Sequence, residues 1–219
     1  DRIPTKNGKY YMVIFGMSMD RAPSVITKAT KFDKVYCVGD SRTADTKMAL
    51  GVAVPSNVEF IAKWGEGLYW FKSTGYRQLL SSISKQPKNS KKAVIINLGV
   101  NDLNNGRAYV TYMKKVAANL RKYNCKMYYL SVNPVNSAMI KSVGGKARSE
   151  AQIASFNRTI YKNLCSGKNK SFTYINSCTN LQMKGWISNR HDMGIYDGLH
   201  YSNATYLRIF DYCMRYLNR

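Results

Sequence analysis

A chain of 219 residues that is 45% hydrophobic is long enough to bury a full core as one large domain and too apolar to be disordered. Its outlying property is charge: 34 Lys and Arg against 12 Asp and Glu leave +22, which points to anionic surroundings or an anionic partner. No apolar run reaches the roughly 20 residues of a membrane span, no C-x-x-C pair offers a zinc or redox motif, and neither zinc-finger spacing nor an RNP-type aromatic motif accompanies the basic residues.

Residues 1–30 read as an N-terminal arm or linker remnant, and residues 31–219 as the folded domain. Asn7-Gly8 is a turn signal, and Tyr10 to Phe15 suits an edge strand or a docked arm. The apolar stretch Tyr10 to Met17 is too short for a span and lacks the basic flank and cleavage site of a signal peptide. Any leader or upstream module is therefore expected to lie outside this sequence.

From Lys34 onward strands and helices alternate. Val35–Val38 reads as a strand and Thr43–Leu50 as a helix, followed by a strand at Val58–Ala62 and a helix at Tyr76–Ser84. Ala93–Asn97 is a continuous apolar strand. The helix expected over Ala108–Tyr123 carries Tyr109, Met113, Val116, Ala117 and Leu120 at helical spacing. Lys126–Val132 is the fourth strand. Ser149 with Gln152 forms a capping box that opens a helix to about Cys165. Phe172–Ile175 is a short fifth strand, and a last helix follows Ser202 with Tyr206, Ile209, Phe210, Cys213 and Leu217 turned inward. Strands separated by helices of this length predict βαβ units, hence a three-layer α/β/α, flavodoxin-like domain around a five-stranded parallel sheet.

The five cysteines are odd in number and widely spaced. Cys37 and Cys213 fall at apolar positions and read as buried thiols. Cys165 and Cys178 flank a basic loop and one strand, and are either free or a disulfide formed in an oxidising compartment.

Candidate chemistry gathers at the strand ends. The first strand runs into Gly39-Asp40-Ser41, which delivers Ser41 to the carboxyl edge of the sheet, where ligands sit in open α/β folds. A dinucleotide fold would carry G-x-G-x-x-G at this place and does not. The second strand ends in Trp64-Gly65-Glu66-Gly67, where a glycine offers a bare backbone N–H. The third ends in Gly99-Val100-Asn101-Asp102: the neutral Asn101 amide suits an oxyanion, while Asp102 suits fixing the turn. Of the two histidines, His200 follows Asp197 by three residues on a tight turn, so the carboxylate can hold Nδ1 and leave Nε2 to take a proton from a serine. His191, beside Asp192, reads as surface. The G-x-S-x-G elbow of α/β-hydrolases is absent.

Together the Gly39-Asp40-Ser41, Gly99-Val100-Asn101-Asp102 and Asp197-Gly198-Leu199-His200 blocks resemble those of the SGNH (GDSL-type) hydrolase family, over about Lys34 to Leu217. The resemblance implies a catalytic domain over 31–219 with Ser41 as nucleophile, His200 as base and Asp197 as its orienter. It also implies an oxyanion hole from the Ser41 N–H, the Gly67 N–H (chosen over Gly65 by position) and the Asn101 amide, with no metal and no cofactor. Arg42, where many members carry a smaller or apolar residue, either binds an anionic substrate group or faces solvent.

The implied activity is that of a serine esterase removing short acyl groups, acetyl first, from an extracellular or cell-wall carbohydrate. No lid-like apolar segment suits a long-chain lipase, and 17 tyrosines suit stacking on sugars. The rivals are a sugar O-acetyltransferase with the same triad and a non-catalytic basic wall-binding domain. The lysines are dispersed, with pairs only at Lys91-Lys92 and Lys114-Lys115. Anionic wall polymers are therefore expected as partners and a specific nucleic-acid site is not. A monomer, secreted or wall-associated and bacterial, is expected.

Overall fold

A strand flanked by two others must be apolar on both faces, and Lys34–Gly39 is: Val35, Tyr36, Cys37 and Val38 are all buried. In the computed structural model, which describes residues 2–4, 10–12, 22–188 and 196–219, this strand sits inside a five-stranded parallel sheet. In chain order the strands are β1 (Arg2–Pro4), β2 (Tyr10–Met12), β3 (Lys34–Gly39), β4 (Val58–Ala62), β5 (Lys92–Asn97), β6 (Cys125–Leu130) and β7 (Thr173–Ile175). The helices are α1 (Ser41–Leu50), α2 (Leu68–Trp70), α3 (Tyr76–Ser84), α4 (Gly106–Leu120), α5 (Ser137–Ser142), α6 (Glu150–Ile160), α7 (Ser177–Lys184) and α8 (Asn203–Leu217).

The main sheet runs β4-β3-β5-β6-β7 with every pair parallel. The chain steps outward from β3 to β4, then returns past β3 to β5 and continues the other way. The crevice between the carboxyl ends of β3 and β5 is thus the topological switch point. Register fixes what meets there, because Gly39 at the end of β3 lies between Ala62 of β4 and Asn97 of β5.

The period-two alternation of the strands sorts side chains into two cores. Tyr36, Val38, Val94 and Ile96 pack on one face against Leu79 and Ile83 of α3, Tyr109, Met113 and Val116 of α4 and Phe156 of α6. Val35, Cys37, Ala93 and Ile95 pack on the other against Leu50 of α1 and Tyr206, Ile209, Phe210 and Cys213 of α8. These are the three layers expected from the alternation.

Local signals set the helix starts. Ser149 and Gln152 form the expected capping box, and Ser202 accepts from the Thr205 N–H at the start of α8. Helix α3 is longer than its periodicity indicates, since α2 and a π-turn over Phe71–Gly75 run into it without a break. Leu68, Phe71, Leu79 and Ile83 are all buried and recur at 3, 8 and 4 residues, the spacing of one helical face, with Trp70 buried beside them. The short helices α5 and α7, capped by Asn136 and Asn176, carry too few turns to show a period.

At the N-terminus, β2 pairs antiparallel with β1 in a sheet of its own, not with an edge of the main sheet. The turn read at Asn7-Gly8 lies outside the described residues, as do Val13–Phe15. The packed unit already includes residues 27–30. The Thr27 N–H donates to Asp211 at 3.0 Å, the Thr30 N–H donates to Asn218 at 2.8 Å, and Ala29 is buried under α8. All five cysteines are free and buried, so Cys165 and Cys178 form no disulfide.

Candidate active site

Ser41 is the first residue of α1, directly beyond the end of β3. Asp40 caps that helix by accepting from the Arg42 N–H at 3.0 Å. The junction is thus both a helix cap and the place where a serine hydroxyl enters the switch-point crevice. Its partner comes from the loop before α8: His200 Nε2 lies 2.9 Å from Ser41 Oγ. His200 Nδ1 in turn lies 2.6 Å from Asp197 Oδ2.

The second oxygen of Asp197 accepts the backbone N–H groups of Leu199 and His200, each at 2.8 Å. The carboxylate therefore holds the turn and the ring together. Gly198 makes the turn possible: its φ is +72°, and a Cβ there would stand 2.4 Å from the Asn136 carbonyl. Burial works against the Asp197 charge, but the hydrogen bonds from the His200 ring and from the His200 and Leu199 N–H groups, with the His200 charge, hold its carboxyl well below the usual range. An ionised Asp197 keeps the Nδ1 proton facing it and leaves Nε2 as the acceptor toward Ser41. Trp64, at the end of the strand beside β3, packs its ring 5.8 Å from that of His200.

Asp40 shows the opposite balance. Burial raises its pKa to about 6 despite the Arg42 charge and N–H. Between about pH 4 and pH 6 the folded chain therefore holds a proton that the unfolded chain has released, and stability through this group falls as pH rises across that window. Asp40→Asn keeps the capping acceptor and removes the titration. Thermal melts from pH 4 to pH 7 should show the variant gaining on wild type as pH rises, by about 2 kcal/mol. Parallel profiles would discard the assignment.

Asn101 and Asp102 follow β5. Asp102 fixes the neighbouring loop, with Oδ2 accepting the Leu68 N–H at 2.9 Å and Oδ1 accepting the Tyr109 hydroxyl at 2.7 Å. Gly67 must be glycine for this approach, because a Cβ would stand 2.5 Å from Asp102 Oδ2. Asn101 Nδ2 donates to the Glu66 carbonyl at 2.8 Å, and Asn101 Oδ1 accepts from Arg148 at 2.9 Å.

Asn101 holds the carbonyl of Glu66, the residue before Gly67, so the two loops meet there, and Gly67 packs against Asp102. One expectation is corrected here. Arg42 neither faces solvent nor awaits an anion. It is buried, donates to the carbonyls of Leu199 (3.0 Å), Asn133 (2.9 Å) and Pro134 (3.1 Å), and lies 4.7 Å over the Tyr201 ring. It ties the end of β6 to the His200 turn.

With Ser41, His200 and Asp197 joined in one hydrogen-bonded chain and Asn101 just beyond the neighbouring strand β5, the order of blocks and the geometry agree with a known family. The GDSL-like Lipase/Acylhydrolase model matches residues 35–213. The chain belongs to that family. Solved structures share its fold at low identity. A GDSL-like lipase from Bacteroides thetaiotaomicron is 16% identical, with TM-score 0.63 over 89% of this chain and 92% of that one. An acylhydrolase-type protein from Bacteroides fragilis is 14% identical, with TM-score 0.63 over 89% and 91%. An acetyl xylan esterase is 16% identical, with TM-score 0.56 over 84% and 98%. No curated relative matches the sequence.

Arg148, against Asn101, and Trp64, against His200, are neighbours that sequence reasoning missed. Arg148 is one cation among 34 and lies 47 positions from Asn101, so only the fold joins them. Trp64 carried a signal, being an aromatic at a strand end beside a glycine turn. His191 lies outside the described residues. Among the described residues no group of three or more His, Cys, Asp or Glu is placed to hold a metal, and no helix is long and apolar enough to cross a membrane.

Proposed function

We propose that this chain is a serine esterase that removes short acyl groups, acetyl above all, from carbohydrate through an acyl-enzyme. The observation that carries the reading is the continuous chain from Ser41 Oγ to His200 Nε2 (2.9 Å) and from His200 Nδ1 to Asp197 (2.6 Å). In it His200 takes the Ser41 proton as Oγ attacks the ester carbonyl, and the negative charge that develops on the carbonyl oxygen falls to the Ser41 N–H and the Asn101 amide. His200 then gives its proton to the departing sugar hydroxyl. Water, activated by the same ring, releases the acid and restores Ser41.

Polarity next to the site supports a hydroxylated substrate over an alkyl chain. A cavity of about 250 Å³ beside Asn101 is lined by Asn104, Asn105, Lys146, Arg148 and Gln152, with Val100, Leu103 and Ala147 as its apolar part. The acetyl xylan esterase that shares the fold agrees with acetyl as the acyl group. The +22 charge supports work at an anionic surface outside a bacterial cell, with wall polymers as the partner.

The test uses purified chain with p-nitrophenyl acetate, its octanoate analogue and an acetylated oligosaccharide. Free acetate should appear from both acetyl substrates, octanoate should turn over far more slowly, and a fluorophosphonate should label Ser41. Label on another residue, or no acetate from either substrate, would end this reading. Acetyl recovered on an added sugar instead of in water would establish the transferase.

A further inference from the structure

The amide that receives the oxyanion in this reading is held at both ends, and one of the two holders is a cation. Arg148 Nη2 donates to Asn101 Oδ1 at 2.9 Å, while its Nε donates to the Val100 carbonyl at 2.8 Å. Its Nη1 donates back to the Lys146 carbonyl at 2.9 Å, and Lys146 Nζ reaches the Asn101 carbonyl at 3.3 Å. The segment 146–148, just before α6, thus grips the turn after β5 by backbone and side chain together.

An asparagine carboxamide rotates about a broad, two-fold torsion, and its two ends differ only in donor or acceptor character. Turned the wrong way, Asn101 would show an oxygen to the developing oxyanion and repel it. A guanidinium has donors and no acceptor, so Arg148 accepts only the orientation with Oδ1 toward itself. The Glu66 carbonyl takes one Nδ2 proton at 2.8 Å. One Nδ2 proton is left, and the positive charge of Arg148 against Oδ1 draws electron density from the nitrogen and strengthens that donor.

We infer that Arg148 is a positioning residue of the oxyanion hole, locking the Asn101 amide with its remaining N–H available to the substrate and polarising it. This rests on the Ser41 reading above, so the experiment separates the two. Kinetics on p-nitrophenyl acetate are measured for wild type, Ser41→Ala, Asn101→Ala, Arg148→Met, Arg148→Lys and the Asn101→Ala/Arg148→Met double variant.

A hydrogen bond to a charged group sets the scale, so Arg148→Met should lower kcat by roughly 10-fold or more with KM moving less than about twofold. Arg148→Lys keeps the charge but cannot grip Val100 and Asn101 together, and should lose a few-fold in kcat with an unchanged Tm. In the Asn101→Ala background, Arg148→Met should cost less than about a further twofold, because the group it positions is gone.

Wild-type kcat in Arg148→Met or in Arg148→Lys would overturn the inference. So would an equal loss in both backgrounds, which is the mark of a merely structural arginine. Hydrolysis that survives Ser41→Ala would instead bring down the serine-esterase reading itself. A Ser41-dependent enzyme indifferent to Arg148 would remove the positioning role alone.

Discussion

Ser41→Ala is expected to lower ester turnover by about 10⁶-fold, the scale on which losing a serine nucleophile collapses a triad. Its thermal midpoint should stay within a few degrees of wild type. Ser41 Oγ is hydrogen-bonded to His200 at 2.9 Å, and deleting such a bond costs about 1 kcal/mol. Alanine at the first position of α1 is a better helix former than serine and offsets part of that. The Asp40 cap to the Arg42 N–H does not involve the Ser41 side chain. Stopped assays with p-nitrophenyl acetate, run beside a thermal melt, decide the matter. Retained turnover in a folded variant would mean that the hydroxyl in the crevice is only a helix-start serine.

Asp197→Asn should be nearly as damaging, by about 10⁴-fold in kcat, for a reason written in the geometry. Two backbone N–H groups point at Oδ1 and the imidazole Nδ1 points at Oδ2. An asparagine must keep its oxygen toward the two N–H groups, since its NH₂ would face donors there. The NH₂ then lies against Nδ1 and donates to it. That moves the ring proton to Nε2, where it faces Ser41 and can no longer be exchanged for the serine proton. The carboxylate also steadies the fold: its depressed pKa makes a contribution present above about pH 4 and lost as pH falls through the lower folded value. The variant should therefore lose some stability at neutral pH along with activity. Near-normal kcat in Asp197→Asn would show that the ring is oriented by something else.

What could be read in advance follows from how far apart the causes lie in the chain. Gly39-Asp40-Ser41 and Asp197-Gly198-Leu199-His200 are short-range arrangements: a cap, a turn, and a carboxylate three residues from a ring. The strands declared themselves because a parallel strand buried on both faces is apolar throughout, as Ala93 to Ile96 are. Gly75, a poor helix former within the run from Leu68 into α3, hid the start of that helix. Arg42 was misread because nothing beside it in the sequence shows that the Asn133, Pro134 and Leu199 carbonyls will surround it. Gly67 was placed by position in a loop, and the Asp102 carboxylate it packs against comes from beyond the end of another strand. Arg148 meets Asn101 only because β5 and the start of α6 converge.

The five free thiols amount to a built-in set of unfolding reporters. Burial raises the pKa of each, so none presents an exposed thiolate to an alkylating reagent while the chain is folded. They are also divided between the layers: Cys37 and Cys213 lie in the core beneath α8, while Cys125, Cys165 and Cys178 lie in the core on the opposite face. The order in which they become labelled tells which side of the sheet lets go first, with no probe added to the protein.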